Sequence, residues 1–349
     1  MAQQFKDVLE TLSAGTDLSR EDARFALESI VNGDVSHEEV AAFLFGMRQK
    51  GETIDELTEF VKVMRDAAVR VEVDTDGAVD LCGTGGDRSG TFNISTAAML
   101  VVAGAGVPVL KHGNRSVSSR CGSADVLEEL GVVATLQKEG VEEVFRETGM
   151  AFMFAPNFHP AMKYVMPARK ALKIRTFFNV LGPLLNPADV KRQVIGAFNR
   201  DTAETMVQIL SNLETEQAYT LHARDGLDEV SLSDSTEIFE LKGDGTFTST
   251  LFNPEAIGFS LAAPDELSGG DSGTNADIIQ SILDGSATDA QAGIVLLNAA
   301  FAIHVSGAAA TLKEAKSLAE EAVQSGSAKQ KLKEFAEATQ DVQSSQAGG

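Results

Sequence analysis

Residues 79–113 read VDLCGTGGDRSGTFNISTAAMLVVAGAGVPVLKHG, and the order of textures in this stretch decides the fold. A short apolar run, VDLCG, ends in a glycine-rich turn. A longer apolar run follows, opened by Asn93, Ser95 and Thr96 as a helix is opened by polar capping residues. VPVL then resumes a β-branched run that ends at Lys111 and His112. Strand, helix and strand in this order predict a parallel pair with a helix crossing over it, the unit of an α/β sheet covered by helices.

Reading outward, SADVLEELG (123–131) continues the alternation as a helix, and RQVIGAF (192–198) and QAYTLHA (217–223) supply further strands. DIIQSILDG (277–285) and AQAGIVLLNAAFAIHVSG (290–307) read as later helices, the second apolar enough to be buried. Upstream, residues 1–70 read as helices alone, with polar starts at Ser19 and Ser36 and with Phe25, Leu27, Ile30 and Val31 spaced for one face. Residues 160–185 are again helix-like and can return to that unit. The expected architecture is therefore a small helical domain, residues 1–70 with about 162–186, and a larger α/β domain, 71–161 with 187–340, built on a central mostly parallel sheet. The polar tail, 341–349, is expected to fray.

The chain has 349 residues, 43% of them hydrophobic, and a formal net charge of -22. Such a balance argues against a general nucleic-acid or anionic-membrane binder, which needs a cationic face. Only the middle third, residues 101–200, carries more bases than acids, and a local positive field in an acidic protein suits a small anionic ligand. No run of about twenty uncharged apolar residues occurs, and the start MAQQFKDVLETL lacks the bases and apolar core of a leader, so the expected location is the cytoplasm. The two cysteines, Cys82 and Cys121, lack CxxC spacing and read as reduced, packed residues.

Four groups of residues carry chemistry. Gly83, Gly85 and Gly86 let the backbone approach a ligand, while Asp87, Asn93, Ser95 and Thr96 stand nearby at a helix start, which makes a phosphate cradle. The same residues cap helices with no ligand present, and the spacing fits neither GxxxxGK[ST] nor GxGxxG. Lys111, His112, Asn114, Arg115 and the serines through Ser119 lie at the carboxyl end of a presumed parallel strand, where open α/β sheets bind ligands; the plainer reading is a polar loop with Ser123 as a cap. Adjacent Asp228 and Glu229 can bridge magnesium beside a phosphate, although an Asp-Glu pair in an acidic region is also ordinary solvated charge. Arg169, with Met162, Tyr164 and Met166 about it, offers a planar fork for a carboxylate and apolar walls for a flat ring, or merely a basic helix face. His112 and His159 rank as supporting residues.

Taken together, GTGGD at 83–87, NIST at 93–96, KHGNR at 111–115, GSADVLEELG at 122–131, MPARKALKIRTFFNVLGPLLNP at 166–187 and GLDEVS at 226–231 closely resemble the anthranilate phosphoribosyltransferase family, in one collinear order from about Asp7 to Ser306. The resemblance implies a nucleoside-phosphorylase-like fold with the site between the two domains, a homodimer through the helical one, and transfer of 5-phosphoribosyl from phosphoribosyl pyrophosphate to the anthranilate amine with Mg2+. It places Gly83, Gly86, Asp87, Thr91, Asn93, Ser95, Thr96, Lys111, Ser119 and Ser123 around phosphoribosyl pyrophosphate. It places Gly83, Asn114 and Arg169 at anthranilate, and Ser95, Asp228 and Glu229 at magnesium. No residue is implied as an acid or base catalyst. Departures from the family pattern are Cys82, Ala223, and Lys173 where glycine is frequent. A pyrimidine nucleoside phosphorylase of the same fold fits less well, given the full GTGGD and KHGNR strings and Arg169. A silent nucleic-acid-binding relative would need a basic groove.

Overall fold

The computed structural model describes residues 4–87, 89–115 and 121–347. The chain opens with four helices, α1 (Phe5–Ser13), α2 (Arg20–Asn32), α3 (His37–Lys50) and α4 (Ile54–Asp66). Ser19 and Ser36 start α2 and α3, and their hydroxyls accept from the amides of Asp22 and Glu39. Of the face expected on α2, Leu27, Ile30 and Val31 are buried and Phe25 is half-buried.

The α/β part then runs β1 (Val79–Gly83), α5 (Ile94–Gly104), β2 (Val109–Gly113), α6 (Ser123–Glu129), α7 (Lys138–Thr148) and β3 (Met150–Phe154). Three short helices follow, α8 (Ala155–Phe158), α9 (Met162–Leu172) and α10 (Phe178–Leu181). α9 goes back to the first helices: a Cβ on Gly33, which ends α2 at φ 79°, would stand 2.5 Å from the Tyr164 ring. Phe177, just before α10, stacks with Phe60 at 4.6 Å between centroids and meets Phe43 at 6.2 Å. Aromatic packing thus draws this return segment onto α3 and α4.

The remainder comprises β4 (Arg192–Gly196), α11 (Arg200–Ser211), β5 (Gln217–Ala223), β6 (Thr236–Leu241), β7 (Phe247–Phe252), α12 (Ser272–Leu283), α13 (Asp289–Ser306), α14 (Leu312–Gln324) and α15 (Ser327–Ala347). The sheet order is β3-β2-β1-β4-β5-β6-β7, parallel from β3 to β5 and antiparallel for β6 and β7. The predicted parallel pair, β1 with β2, is present, and the last two strands, which the sequence reading did not single out, add an antiparallel edge. One sheet face packs on α5 and the apolar α13; the other merges with α11 and the helical unit in a second apolar cluster. α13 is long and apolar enough to cross a membrane, yet 67% of it is buried inside the protein, as a core helix is.

As far as Ala347, the tail differs from the expected fraying. α15 runs to Ala347, because Leu332, Phe335, Ala338 and Val342 are spaced for one helical face and all four are buried in the main core.

Every parallel strand ends its forward run at one edge of the sheet, and the loops after β1, β2, β4 and β5 gather there. That edge carries the residues with chemistry.

Candidate active site

β1 and β4 end in register at Gly83 and Gly196. Both glycines face the loop after β5: a Cβ on Gly83 would lie 2.5 Å from Asp228 Oδ2, and one on Gly196 would lie 1.5 Å from the Asp228 main-chain oxygen. Only strands lacking side chains at these ends let the acidic loop sit over them. Asn298 of α13 fixes that loop from beneath, since its Oδ1 accepts from the Val230 amide and its Nδ2 donates to the Val230 carbonyl, each at 2.9 Å.

Two hydrogen bonds then join the acidic pair to the phosphate-type loop. Gly85 N donates to Asp228 Oδ2 at 2.7 Å, and Ser95 N, in the first turn of α5, donates to Glu229 Oε1 at 3.1 Å. Lys111, buried at the end of β2, donates to the Leu81 carbonyl and to Ser95 Oγ. Thr96 Oγ1 lies 3.0 Å from Ser123 Oγ, and Asn93 Nδ2 donates to the Cys121 carbonyl. Glycine loop, helix start, buried lysine and carboxylate pair therefore form one connected cluster.

Its electrostatics favour a cation. Burial, with Asp87 adding, pushes the Asp228 carboxyl above the usual carboxylate range. Burial, with Asp228 adding and Lys111 opposing, pushes Glu229 up to about 8. Two half-buried acids side by side, with a serine hydroxyl beside them, are the oxygen donors magnesium takes when substrate phosphate and water complete its shell. Among the described residues no group of three or more His, Cys, Asp or Glu could hold a metal ion.

The other predicted residues fall as follows. Thr91 pairs with Ser268 in an isolated bridge, and Gly86 O accepts from Arg175 Nη2 at 3.2 Å. Asn114 is exposed, its Oδ1 accepting from the Arg115 amide. Arg169 on α9 is half-buried over the Phe178 ring, 5.5 Å from its centroid, and pairs with no carboxylate among the described residues. Burial lowers its pKa. Neither Asn114 nor Arg169 is hydrogen-bonded to the cluster above. Ser119 lies outside the described residues. Arg115, read as a possible anion ligand, is instead held by Asp125 and Glu128 at 2.7 and 2.5 Å. His112 and His159 stack edge to face at 5.1 Å, both buried, and burial holds both well below the ordinary imidazole range, His159 at about 4. They are neutral near pH 7.

Sequence reading gave no place to Gly196 or Asn298; Gly196 had a visible signal, since RQVIG closes on glycine as VDLCG does. Away from this cluster, a cavity of about 630 Å³, lined by Arg24, Lys62, Arg65, Lys191 and Glu214 among others, opens near the start of β4 and β5. Its cations are paired with carboxylates, so it is not where the chemistry stands.

The chain is similar to known proteins over nearly its whole length. Residues 75–329 match the glycosyl transferase family, a/b domain, and residues 6–68 its helical bundle domain. The anthranilate phosphoribosyltransferase of Salinibacter ruber is 49% identical over 340 residues, 97% of this chain and 99% of that one. The chain belongs to the anthranilate phosphoribosyltransferase family. The enzyme of that name from Herpetosiphon aurantiacus is 45% identical, over 96% of this chain and 99% of its own. Among solved structures, the anthranilate phosphoribosyltransferase from Thermus thermophilus superimposes with a TM-score of 0.89 at 36% identity, covering 96% of this chain and 99% of that one. The one from Saccharomyces cerevisiae, in complex with PRPP and Mg, gives 0.87 at 25% identity, covering 97% and 98%.

Proposed function

We propose that this anthranilate phosphoribosyltransferase family member moves the 5-phosphoribosyl group of phosphoribosyl pyrophosphate onto the amine of anthranilate and releases pyrophosphate, a step of tryptophan biosynthesis. One observation carries the reading: the Asp228–Glu229 pair is hydrogen-bonded to Gly85 N and Ser95 N, so the carboxylates suited to a cation stand directly against the glycine turn and helix start suited to phosphate.

The roles follow from the chemistry of each group. The amides of the 83–87 turn and of the α5 start other than those bonded to Asp228 and Glu229, with Asn93, Thr96 and Ser123, would receive the phosphates, and Lys111 adds a positive charge at the floor. Ser95, Asp228 and Glu229 would hold magnesium, which when bound supplies positive charge to the pyrophosphate leaving group. The guanidinium of Arg169, paired with no carboxylate among the described residues, offers its fork to the anthranilate carboxylate. An aromatic amine is neutral at pH 7 and keeps its lone pair, so the chain needs to align it and not to deprotonate it, in keeping with the neutral His112 and His159. A homodimer through the helical unit belongs to the same reading. A cytoplasmic location suits Cys82 and Cys121, both buried and in no disulfide among the described residues.

The test is to follow anthranilate fluorescence with purified protein, phosphoribosyl pyrophosphate and magnesium. Loss of signal that a chelator stops supports the reading; constant signal with folded protein overturns it.

A further inference from the structure

Asp80 is a carboxylate with no exposed surface in the middle of β1. Its Oδ1 accepts from the His112 amide at 3.2 Å, and its Oδ2 accepts from Asn186 Nδ2 at 2.8 Å. Asn186, itself 2% exposed, also donates to the Leu110 carbonyl at 2.9 Å and accepts from the Ala188 amide at 2.9 Å. It belongs to the segment 182–188, by which the chain leaves the helical unit for β4. Neighbouring bonds stitch the same segment down: Gln193 Nε2 donates to the Pro183 carbonyl at 3.2 Å, and Arg65 Nε of α4 donates to the Leu184 carbonyl at 2.8 Å.

A buried carboxylate is costly where a packed apolar residue would serve as well. Here it joins the crossing from the helical unit, whose α9 carries Arg169, to the strand end that leads into His112 and Asn114, beside the direct bond from Asn186 to the Leu110 carbonyl. The pleat tells which substrate should feel it. β1 and β2 pair Val79 with Val109, so Leu81 and Lys111 share one face, the face of α5 and Ser95. Asp80 and His112 lie on the other, toward Asn186 and the edge contact with His159.

We infer that Asp80 and Asn186 form a positioning pair for the acceptor side of the active site, setting the Arg169-bearing unit against the His112–Asn114 loop while leaving the phosphoribosyl pyrophosphate side alone. The inference rests on the transferase reading above. Of the His112 amide and Asn186 Nδ2, an Asp80→Asn carboxamide presents its NH2 group to one and can accept from only the other. In the doubly exchanged variant, D80N with N186D, the residue at 80 donates to the residue at 186 and the pair re-forms with its polarity reversed, although the bond to the Leu110 carbonyl is lost.

The experiment measures KM for anthranilate and kcat by fluorescence, the dissociation constant of phosphoribosyl pyrophosphate with magnesium by calorimetry, and the melting temperature, for wild type, D80N, N186A and D80N/N186D. The expected result is an anthranilate KM raised about tenfold or more in both single variants, phosphoribosyl pyrophosphate affinity within about twofold of wild type, and partial recovery of KM in the exchange. Equal weakening toward both substrates in step with a lowered melting temperature marks a merely structural role and overturns the inference. So does an unchanged anthranilate KM, or an exchange no better than D80N. Should the singles not fold, the folded exchange variant decides by its anthranilate KM alone, within about tenfold of wild type for the inference and beyond that against it. Wild-type protein that turns over no anthranilate removes the transferase reading and this inference with it.

Discussion

Gly196 and Asp228 touch so closely that a Cβ on the glycine would stand 1.5 Å from the aspartate's main-chain oxygen. No rotamer relieves a clash with backbone, so Gly196→Ala must displace the loop that carries the acidic pair. We expect a loss of about 1–3 kcal/mol in stability, as for overpacked cores, and a fall in kcat/KM of at least about a hundredfold because a displacement near 1 Å is felt that strongly. Denaturant unfolding and steady-state rates check both.

Glu229 sits half-buried beside Asp228 with its acid form favoured, its carboxyl pushed up to about 8. A site that must lose this proton to take magnesium binds the metal more tightly as pH rises, and the gain ends above about pH 8. For one linked proton the affinity should change by up to about tenfold per pH unit below that point. Calorimetry in buffers of different ionisation enthalpy should show proton release on magnesium binding at pH 7; no buffer dependence would count against the assignment.

Substituting Glu229→Gln removes a poorly solvated charge that the fold accommodates badly. The metal-free variant should gain about 1 kcal/mol or more in stability near pH 8, since a raised acid costs the fold most when it is ionised, and the gain should vanish as pH falls toward the unfolded value near 4.5. The same variant should need about 10–100 times more magnesium for half-maximal rate. Thermal melts across pH and a magnesium titration read the two effects separately.

Arg169 is a half-buried guanidinium whose contact is the Phe178 ring. Arg169→Lys keeps the charge but not the planar fork, so anthranilate KM should rise about tenfold or more with little change in the affinity for phosphoribosyl pyrophosphate. Equal changes for both substrates would place Arg169 elsewhere in the reaction.

Lys173 ends α9 in the left-handed region at φ 52°. This is the position where the family resemblance leads one to expect glycine, and the backbone shows why. Lys173→Gly should stabilise the protein by about 0.5–1 kcal/mol, the αL penalty for a side chain less the extra freedom of glycine in the unfolded chain. Lys173→Ala should give no such gain in the same unfolding assay.

Sequence alone determined whatever depends on near neighbours along the chain. The strand-helix-strand order of residues 79–113, the caps at Ser19 and Ser36, the glycine turn, and the adjacency of Asp228 with Glu229 are local patterns, and local patterns are what periodicity and turn chemistry report. The one-face spacing of Leu332, Phe335, Ala338 and Val342 was equally legible; the polar composition around it obscured the helix. Tertiary structure alone decided the rest. Gly85 reaches Asp228 across 143 positions of sequence, Asn298 reaches Val230 across 68, and Asn186 reaches Asp80 across 106. Such partners carry no mutual signal in one chain, because a side chain's bonding groups state what it can accept or donate and never which distant residue the sheet will bring to it. Arg115 shows the same limit in reverse, since its guanidinium looked available in the KHGNR string until α6 supplied Asp125 and Glu128.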